Sequence, residues 1–505
     1  MTATSQAPQA GTAAHWGVLA AACVSALVVN ANTSAVTILL PAISEDLHAP
    51  ISQLQWAVTG YMLVGAAVIV TSGALGDVFG RRRIFMGGLV LFVASCVLIA
   101  LSSNSAGVII GRMIQGAAGS TILACGMSLL SVAASGAAQM KAITLWGAAS
   151  AAGAALGPLL GGLLVSSTGW QGLFWIDALI AAACIPLTIF TVQESRDPNR
   201  SHSIDVYGTV LIAAILVPVV LALSEGSQWG WLSVATIGCL VISAASVVGF
   251  VVVERRVAAP LVDLQLFANR ALVGATLAIL IVAGVLNGLM YVLSLYFQDP
   301  DAYGMTAFEA GLATLPAAAA LIVITPVITP IAVKIGTRAA VVAGFIAATV
   351  GLAVLSFAHA SWTYGVLVVP LLIAAAGLGL SNGPASAAST AVVSADEVGQ
   401  ASGISNMARY VGGSLAVAAV GAVYSSVTAN HLHGGSSPGD ALATGLARAC
   451  LLMAIMCAAG VALGVLAAVR HRPSSSRPVD RAAAAAAVSH TIAPPAQVPA
   501  GSATS

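Results

Sequence analysis

The 505-residue chain is 59% hydrophobic and 7% charged, with a formal net charge of +1. An ordinary soluble domain carries about 25% charged residues, so this composition excludes a water-soluble globular protein and points to one dissolved in lipid. Near-neutrality without a basic face or arginine-rich arm excludes nucleic acid as a partner, and apolar runs that recur along the whole chain exclude a secretory signal on a soluble body. All seven cysteines fall inside apolar runs without metal-ligand spacing, so they are expected to behave as small hydrophobes and no metal is expected. The eight histidines are scattered and no nucleophile has a base at motif spacing, which leaves no enzyme to propose.

A bilayer core of about 30 Å needs about 20 apolar residues in a helix. By that measure the sequence predicts fourteen spans, over 17–41, 54–75, 84–103, 106–130, 141–166, 173–193, 206–224, 233–253, 271–297, 305–332, 339–358, 363–385, 402–425 and 446–469. An even count puts both termini on one side, and cytoplasmic connections are the ones rich in Lys and Arg. With a cytoplasmic N-terminus, that side collects all of the eighteen basic residues except Arg112, Arg409 and Arg448. Arg409 falls near the inner end of helix 13 and Arg448 at the outer end of helix 14, leaving Arg112 embedded. On the outer side, Trp229 and Trp231 form an interfacial pair, and Asp299, Asp301 and Glu309 cluster between helices 9 and 10. Residues 1–14 are expected to be a short cytoplasmic tail. The Pro-, Ser- and Ala-rich stretch 471–505 is expected to be a disordered cytoplasmic tail, in which the alanine run leaves room for a short helix.

In chain order, helix 2 ends in GALGDVFGRRRIF, with Gly73, Asp77, Gly80, Arg81, Arg82 and Arg83. The glycines let the backbone turn and helices approach, while Asp77 can pair with an arginine or cap a neighbouring helix. A plain positive-inside arginine cluster accounts for the arginines but not for the Gly-Asp-Gly spacing. Helix 4 carries GRMIQGAAG. An arginine in mid-helix costs at least a few kcal/mol unless it faces a wet cavity or a polar partner. Arg112 lies about 10 Å below the outer end of its helix at 1.5 Å per residue, and no acidic residue stands within thirty positions of it. Helix 5 carries GAALGPLLGG, with Gly153, Gly157, Pro158, Gly161 and Gly162. Glycines four apart make a flat packing face and proline permits a kink, although small-xxx-small spacing is common in any membrane bundle. Asp177 opens helix 6 among Phe174, Trp175 and Ile176, a setting suited to a carboxyl that takes up and releases a proton. Glu309 opens helix 10, where attraction to the helix N-terminus accounts for it equally well.

These elements together resemble the major facilitator superfamily, and within it the fourteen-helix drug:proton antiporters. The 2–3 loop is similar to G-x-L-x-D-x-x-G-R-R/K-x, helix 4 to R-x-x-Q-G through Arg112, Gln115 and Gly116, and helix 5 to the antiporter motif G-x-x-x-G-P-x-x-G-G. The resemblance extends to LQWAVTGYML in helix 2, to the stretch between helices 9 and 10, and to helix 13 with Asn406 and Arg409, covering about residues 15–470. Two departures concern ion coupling. The stretch L-D-x-T of helix 1 has its aspartate where Asn32 stands here, and W-R-W-I-F-x-I-N has Gln171 for its arginine and Asp177 for its asparagine.

The resemblance implies an all-α integral membrane protein of the major facilitator fold, with two six-helix bundles plus an inserted helix pair. The implied domains are a tail over 1–14, an N-terminal bundle over 15–193, inserted helices 7 and 8 over 194–269, a C-terminal bundle over 270–470, and a tail over 471–505. Lys334, Gly336 and Arg338 in the 10–11 loop are a faint echo of the 2–3 loop, as related halves would leave. A central cavity is implied, lined by Asn32, Thr33, Tyr61, Arg112, Gln115, Asn287, Tyr291 and Asn382, with Asp177 and Glu309 as proton-coupling candidates and the 2–3 loop as a gate. Arg112 is expected to hydrogen-bond Asn32. An uncompensated Arg112 and no deep carboxylate would favour a neutral or anionic amphipathic substrate. The activity implied is export of drugs, antibiotics or other hydrophobic compounds across a bacterial inner membrane, by a monomer with lipid around it, no cofactor, and the proton gradient as energy source. Export of an endogenous lipid or secondary metabolite, and a sensor or assembly partner without transport, are the alternatives.

Overall fold

Long apolar stretches in lipid must satisfy their backbone hydrogen bonds within the segment, and among the described residues these stretches do so as helices. The computed structural model describes residues 12–133, 136–196, 205–257, 261–393 and 398–469, and among these it forms fourteen α-helices. They are α1 (Thr12–Leu47), α2 (Ile51–Phe79), α3 (Arg81–Ala100), α4 (Ser105–Ala133), α5 (Gly136–Thr168), α6 (Gln171–Thr191), α7 (Val206–Trp229), α8 (Val234–Glu254), α9 (Arg270–Gln298), α10 (Ala307–Ile335), α11 (Thr337–Leu355), α12 (Tyr364–Ala391), α13 (Val398–His433) and α14 (Pro438–Val469). A 3-10 turn, Leu264–Ala268, precedes α9. Thirteen of the helices are long and apolar enough to cross a bilayer, and α10 adds an apolar stretch over Ala307–Ala320. Residues up to Gly464 form one unit; of the second, Val465–Ser505, only the end of α14 is described.

Several helices outrun the spans read from hydropathy. α1 begins at Thr12 and runs on to Leu47, α13 continues to His433, and α14 begins at Pro438. An apolar run ends at the edge of the hydrocarbon, whereas nothing in the backbone obliges the helix to stop there. Arg448 is therefore ten residues inside α14 and not at its end, and the tail assigned to 1–14 already contains the start of α1. The rest of that tail and the stretch 471–505 lie outside the described residues.

Packing repeats itself between the first six and the last six helices. α1 packs on α5, α2 on α4 and α3 on α4; in the same relation α9 packs on α13, α10 on α12 and α11 on α12. The halves meet through α2 against α13 and α5 against α10, which exchange under the same correspondence. Local geometry repeats as well. Gly80 precedes α3 at φ +116° and Gly336 precedes α11 at φ +90°, conformations that favour glycine. Two residues beyond each stands an arginine that reaches a carbonyl on the sixth helix of its own half: Arg82 to Ile189, and Arg338 to Gly464.

The inserted pair lies across the seam. α7 buries Ile212, Leu216 and Val220 in one apolar cluster with Leu63, Ala66 and Ala67 of α2 and Ile404 and Ala418 of α13. Thr71 and Thr209 share a hydrogen bond of 2.6 Å, and Trp56 donates to Glu225. α8 packs on α7, where Ser243 donates to the Ile215 carbonyl, and leaves most of its apolar surface exposed, as a helix in lipid can.

Three of the antiporter-motif glycines occupy crossings too tight for a side chain. A Cβ on Gly153 would collide with the Leu27 carbonyl, one on Gly157 with Ser34 and the Ala31 carbonyl, and one on Gly162 with the Ala307 carbonyl of α10. Gly73, by contrast, has nothing within 4 Å of where its Cβ would stand. Overpacking against backbone costs roughly 1–3 kcal/mol or more. Gly157→Leu is therefore expected to lower the melting temperature of the purified protein sharply, and Gly73→Ala to leave it unchanged or raise it slightly, as read by fluorescence-detected size exclusion after heating.

Candidate functional site

Four helices of the first half converge on Arg112. It stands seven residues into α4 and is fully buried. Its Nε donates to the Ala57 carbonyl of α2 at 3.0 Å, and its Nη1 donates to Oδ1 of Asn32 on α1 and to Oε1 of Gln115 one turn along α4. The Tyr61 ring covers the guanidinium, with its centroid 4.2 Å from Cζ, a cation–π contact in a desolvated place. Nη2 has no hydrogen-bond partner. Gln115 in turn donates to Sγ of Cys96 on α3 at 3.0 Å, and Tyr61 Oη lies 3.0 Å from the hydroxyl of Thr33.

The fourth helix supplies the acid. Asn32 Nδ2 donates to Oδ2 of Asp177 at 2.7 Å, and Asp177 is 4% exposed. Six residues into α6, it lies about 9 Å from the start of that helix. The expectation that no carboxylate lies deep in a span is thus overturned, and with it the premise of an uncompensated Arg112. Sequence distance hid the pair, since the two residues are brought together by the packing of α3 and α1 on both α4 and α6. A carboxylate and a guanidinium in one sealed network, joined by an amide, leave far less net charge to impose on a substrate than a lone arginine would.

The two departures from the drug-antiporter pattern are also in contact. Where that pattern has an acid on helix 1 and an amide on helix 6, this chain has the amide at Asn32 and the acid at Asp177, hydrogen-bonded to each other. The amide and the acid have changed places across a single contact.

Other predicted residues scatter. Asn32, Tyr61, Arg112 and Gln115 are fully buried and form a closed network, so they do not line an open cavity here; Gly116 packs so closely on the Tyr61 backbone that a Cβ would collide with it. Tyr291 is buried at the seam, where its hydroxyl donates to Gln55 at 3.3 Å. Asn287 is half-buried and donates to the Ala283 carbonyl of its own helix. Asn382, half-buried on α12, accepts from Arg409 at 2.8 Å. Glu309 belongs to none of these groups. It closes a capping box with Thr306 at the start of α10, the local role the sequence allowed for.

The arginine-rich loop is an ordered clip. Arg81 pairs with Asp77 at 2.8 Å, and its backbone N–H donates to the Ser195 carbonyl. Glu194 accepts from the Arg82 backbone at 3.1 Å and lies 3.6 Å from Arg83. Glu194 escaped the sequence reading; its only signal was an acid following helix 6 on the side where arginines gather.

At the end of the molecule carrying the α1–α2 connection, hydrogen bonds join the halves. Ser294 donates to the Thr37 carbonyl at 2.7 Å, Gln298 to that of Ile38 at 3.1 Å, and Gln55 to that of Val417 at 3.1 Å. Within the first half, Trp170 and Gln171 both donate to Asp46 at that end.

Two related six-helix halves joined by tight glycine crossings, with a buried charge network in one of them, define a membrane transporter. Residues 22–417 match the Major Facilitator Superfamily, and the chain belongs to it. The tetracenomycin C resistance and export protein of Streptomyces glaucescens is 30% identical over 81% of this chain and 76% of its own length. The multidrug resistance protein Stp of Mycobacterium tuberculosis is 31% identical over 77% of this chain and 72% of its own. Among solved structures, a bacterial homologue of the human lysosomal transporter Spinster, inward-facing and unoccupied, shares the fold with a TM-score of 0.65 at 16% identity, over 93% of this chain and all of that one.

Breaking one member of a buried charge network leaves the other uncompensated, at a cost of about 3–5 kcal/mol. Arg112→Gln and Asp177→Asn are each expected to lower the melting temperature, and the double substitution to lower it by less than the sum of the two. Strict additivity in that double-mutant cycle would mean that the two charges do not interact.

Proposed function

We propose that this chain is an exporter of drugs, antibiotics or other hydrophobic compounds, driven by proton antiport through alternating access. The observation that carries this reading is the Asp177–Asn32–Arg112 chain: a titratable group sealed in the bundle, hydrogen-bonded to an amide that also binds a guanidinium. The resistance and export relatives support the substrate class. Both halves act as rigid bodies of six helices, and the arginine-rich connections lie in the cytoplasm with both termini. The protein works as a monomer in the inner membrane.

Proton movement follows from the donor inventory. Ionised, the Asp177 carboxylate accepts from the Asn32 amide and balances Arg112 at one remove. Protonated, it has a proton to donate and no charge to offer, so the network carries the excess positive charge of Arg112 alone. That imbalance is the differential free energy a conformational change requires. It favours a state in which the first half has rocked against the second and water reaches the network at Arg112. The hydrogen bonds that join α1 to α9 and α2 to α13 close the outer side in the state described here; they must break for release outward, while the Asp77–Arg81 and Glu194 clip belongs to the opposite, cytoplasmic end.

In inverted vesicles carrying the protein and an imposed pH gradient, uptake of tritiated chloramphenicol, an uncharged drug that a pH gradient alone does not trap, should report gradient-driven transport. Asp177→Asn is expected to reduce that flux at least about tenfold, the contribution of one essential proton carrier being lost. Asn32→Asp/Asp177→Asn, which returns the acid to helix 1, is expected to recover it in part. Flux that survives Asp177→Asn removes that residue from coupling. Absence of flux from the unaltered protein under any gradient favours export of an endogenous compound, or a role without transport.

A further inference from the structure

Arg112 is sealed and balanced, but a second arginine is neither. Arg409 lies eleven residues into α13, half-buried, with Tyr410 beside it packed toward Tyr61 of α2 at 6.3 Å between ring centroids. Its Nη1 donates to Oδ1 of Asn382 at 2.8 Å and its Nη2 to the hydroxyl of Ser386, both on α12. No carboxylate among the described residues pairs with it. A guanidinium has five N–H donors, and the two neutral acceptors take two of them.

The direction of the side chain follows from the helix. Around α13, Gly403, Tyr410 and Gly413 meet Val70, Tyr61 and Met62 of α2, whereas Gly412 meets the Leu280 carbonyl of α9. At about 100° per residue, position 409 falls between these two faces, on the arc directed at the space enclosed by α2, α9 and α12. The Asn287 amide lies on the same side, within van der Waals reach of where a Cβ on Gly413 would stand. This is the interior between the two halves, away from lipid.

We infer that Arg409, with Asn382 and Ser386 as its supports, is the subsite for an anionic group of the transported compound: a carboxylate, sulfonate or acidic phenolate on an otherwise apolar ring system. The inference rests on the exporter reading above and names its substrate class. The geometry suits this ligand because the planar guanidinium is held from one side by an amide and a hydroxyl, which fix its plane without neutralising it. Its remaining donors are preorganised for the two oxygens of an oxyanion. An uncompensated cation half-sealed in a membrane protein is costly to maintain, and an arriving anion relieves that cost. A hydrophobic cation would meet repulsion there. The preference that the sequence attached to Arg112 thus returns at another arginine, for a structural reason.

Two probes of the same skeleton test this: 8-anilino-1-naphthalenesulfonate, which carries the anion, and N-phenyl-1-naphthylamine, which lacks it. Tritium-labelled forms of each are bound to the purified full-length protein in a scintillation proximity assay, with excess unlabelled probe defining the micelle background. The unaltered protein is expected to prefer the sulfonate. Arg409→Gln should reduce the ratio of sulfonate to neutral affinity about 10- to 100-fold, as for loss of a hydrogen bond to a charged group. Arg409→Lys should restore part of it, because the charge returns without the fork. A ratio unchanged in Arg409→Gln, with the neutral probe still bound, overturns the subsite and leaves the exporter reading standing. Failure of the unaltered protein to bind either probe overturns the subsite, and chloramphenicol uptake into inverted vesicles carrying the same protein then shows whether the exporter reading falls with it.

Discussion

A guanidinium left bare in hydrocarbon would be driven out of it, and the first half of this protein is arranged around the need to hold one. Arg112 draws its partners from three directions: a backbone carbonyl of α2, an amide of α1 and a side chain one turn along its own helix, with the Tyr61 ring laid over it. Each contact fixes a helix in register with the others. Ala57 offers its carbonyl only if α2 lies against α4 at a particular height, and the absence of a side chain at Gly116 lets it do so. Asn32 reaches Arg112 only if α1 enters the same layer, and through its other end it pulls in Asp177 from α6. One buried charge therefore specifies the relative placement of four helices that apolar packing alone would let slide. In lipid, where no hydrophobic force drives one helix onto another, such polar contacts and close glycine crossings are what remains to define the bundle.

The same constraint underlies the coupling proposed for the network. An amide between acid and base relays the presence or absence of a proton through its hydrogen bonds to both. Exchange of the acid and amide between α1 and α6 keeps the same three groups in line and inverts only the order of the outer two. What matters to the arginine is that a single removable negative charge sits at the far side of one hydrogen bond or at the near side. Repetition between the halves argues in the same direction. Gly80 and Gly336 both turn the chain at positive φ into α3 and α11, and the arginines two residues on clasp the sixth helix of each half. Each half thus carries its own fastening and can move as a unit.

Much of this architecture was legible because hydropathy has a length scale. Runs of about 20 apolar residues count helices well, and the helix number and the motif positions follow from them. The ends of α1, α13 and α14 were not legible, since a helix continues past the lipid for reasons of backbone geometry that hydropathy does not record. Of the company of Arg112, the hydrogen bond to Asn32 was expected and is present, whereas the presence of Asp177 was not foreseen. Asp177 is 65 positions away along the chain, and only the folding of α6 against α3 and α1 makes it a neighbour, so charge pairing within a window could not find it. Asn32 was legible as a departure from the drug-antiporter pattern, and so was Asp177; that the two departures are one exchange needed the 2.7 Å contact between them. Glu309 shows the opposite case, an acid whose local capping signature, Thr306 three residues ahead, already contained its role.

Two buried or half-buried arginines in the membrane domain, then, answer to different demands. Arg112 is closed off by packing, matched by an acid at one remove, and inaccessible from the space between the halves; its energetics depend on protonation inside one bundle. Arg409 belongs to the other bundle, faces that space, and is supported by neutral groups alone. The network that holds the acid and the arginine without an acidic partner thus stand in different halves. Their nearest link is Tyr61, which lies on Arg112 and leans toward Tyr410, the neighbour of Arg409 along α13. Tyr61 and Tyr410 are among the contacts of α2 with α13, beside the Gln55 bond to the Val417 carbonyl, so a displacement of α2 against α13 changes the surroundings of both arginines at once.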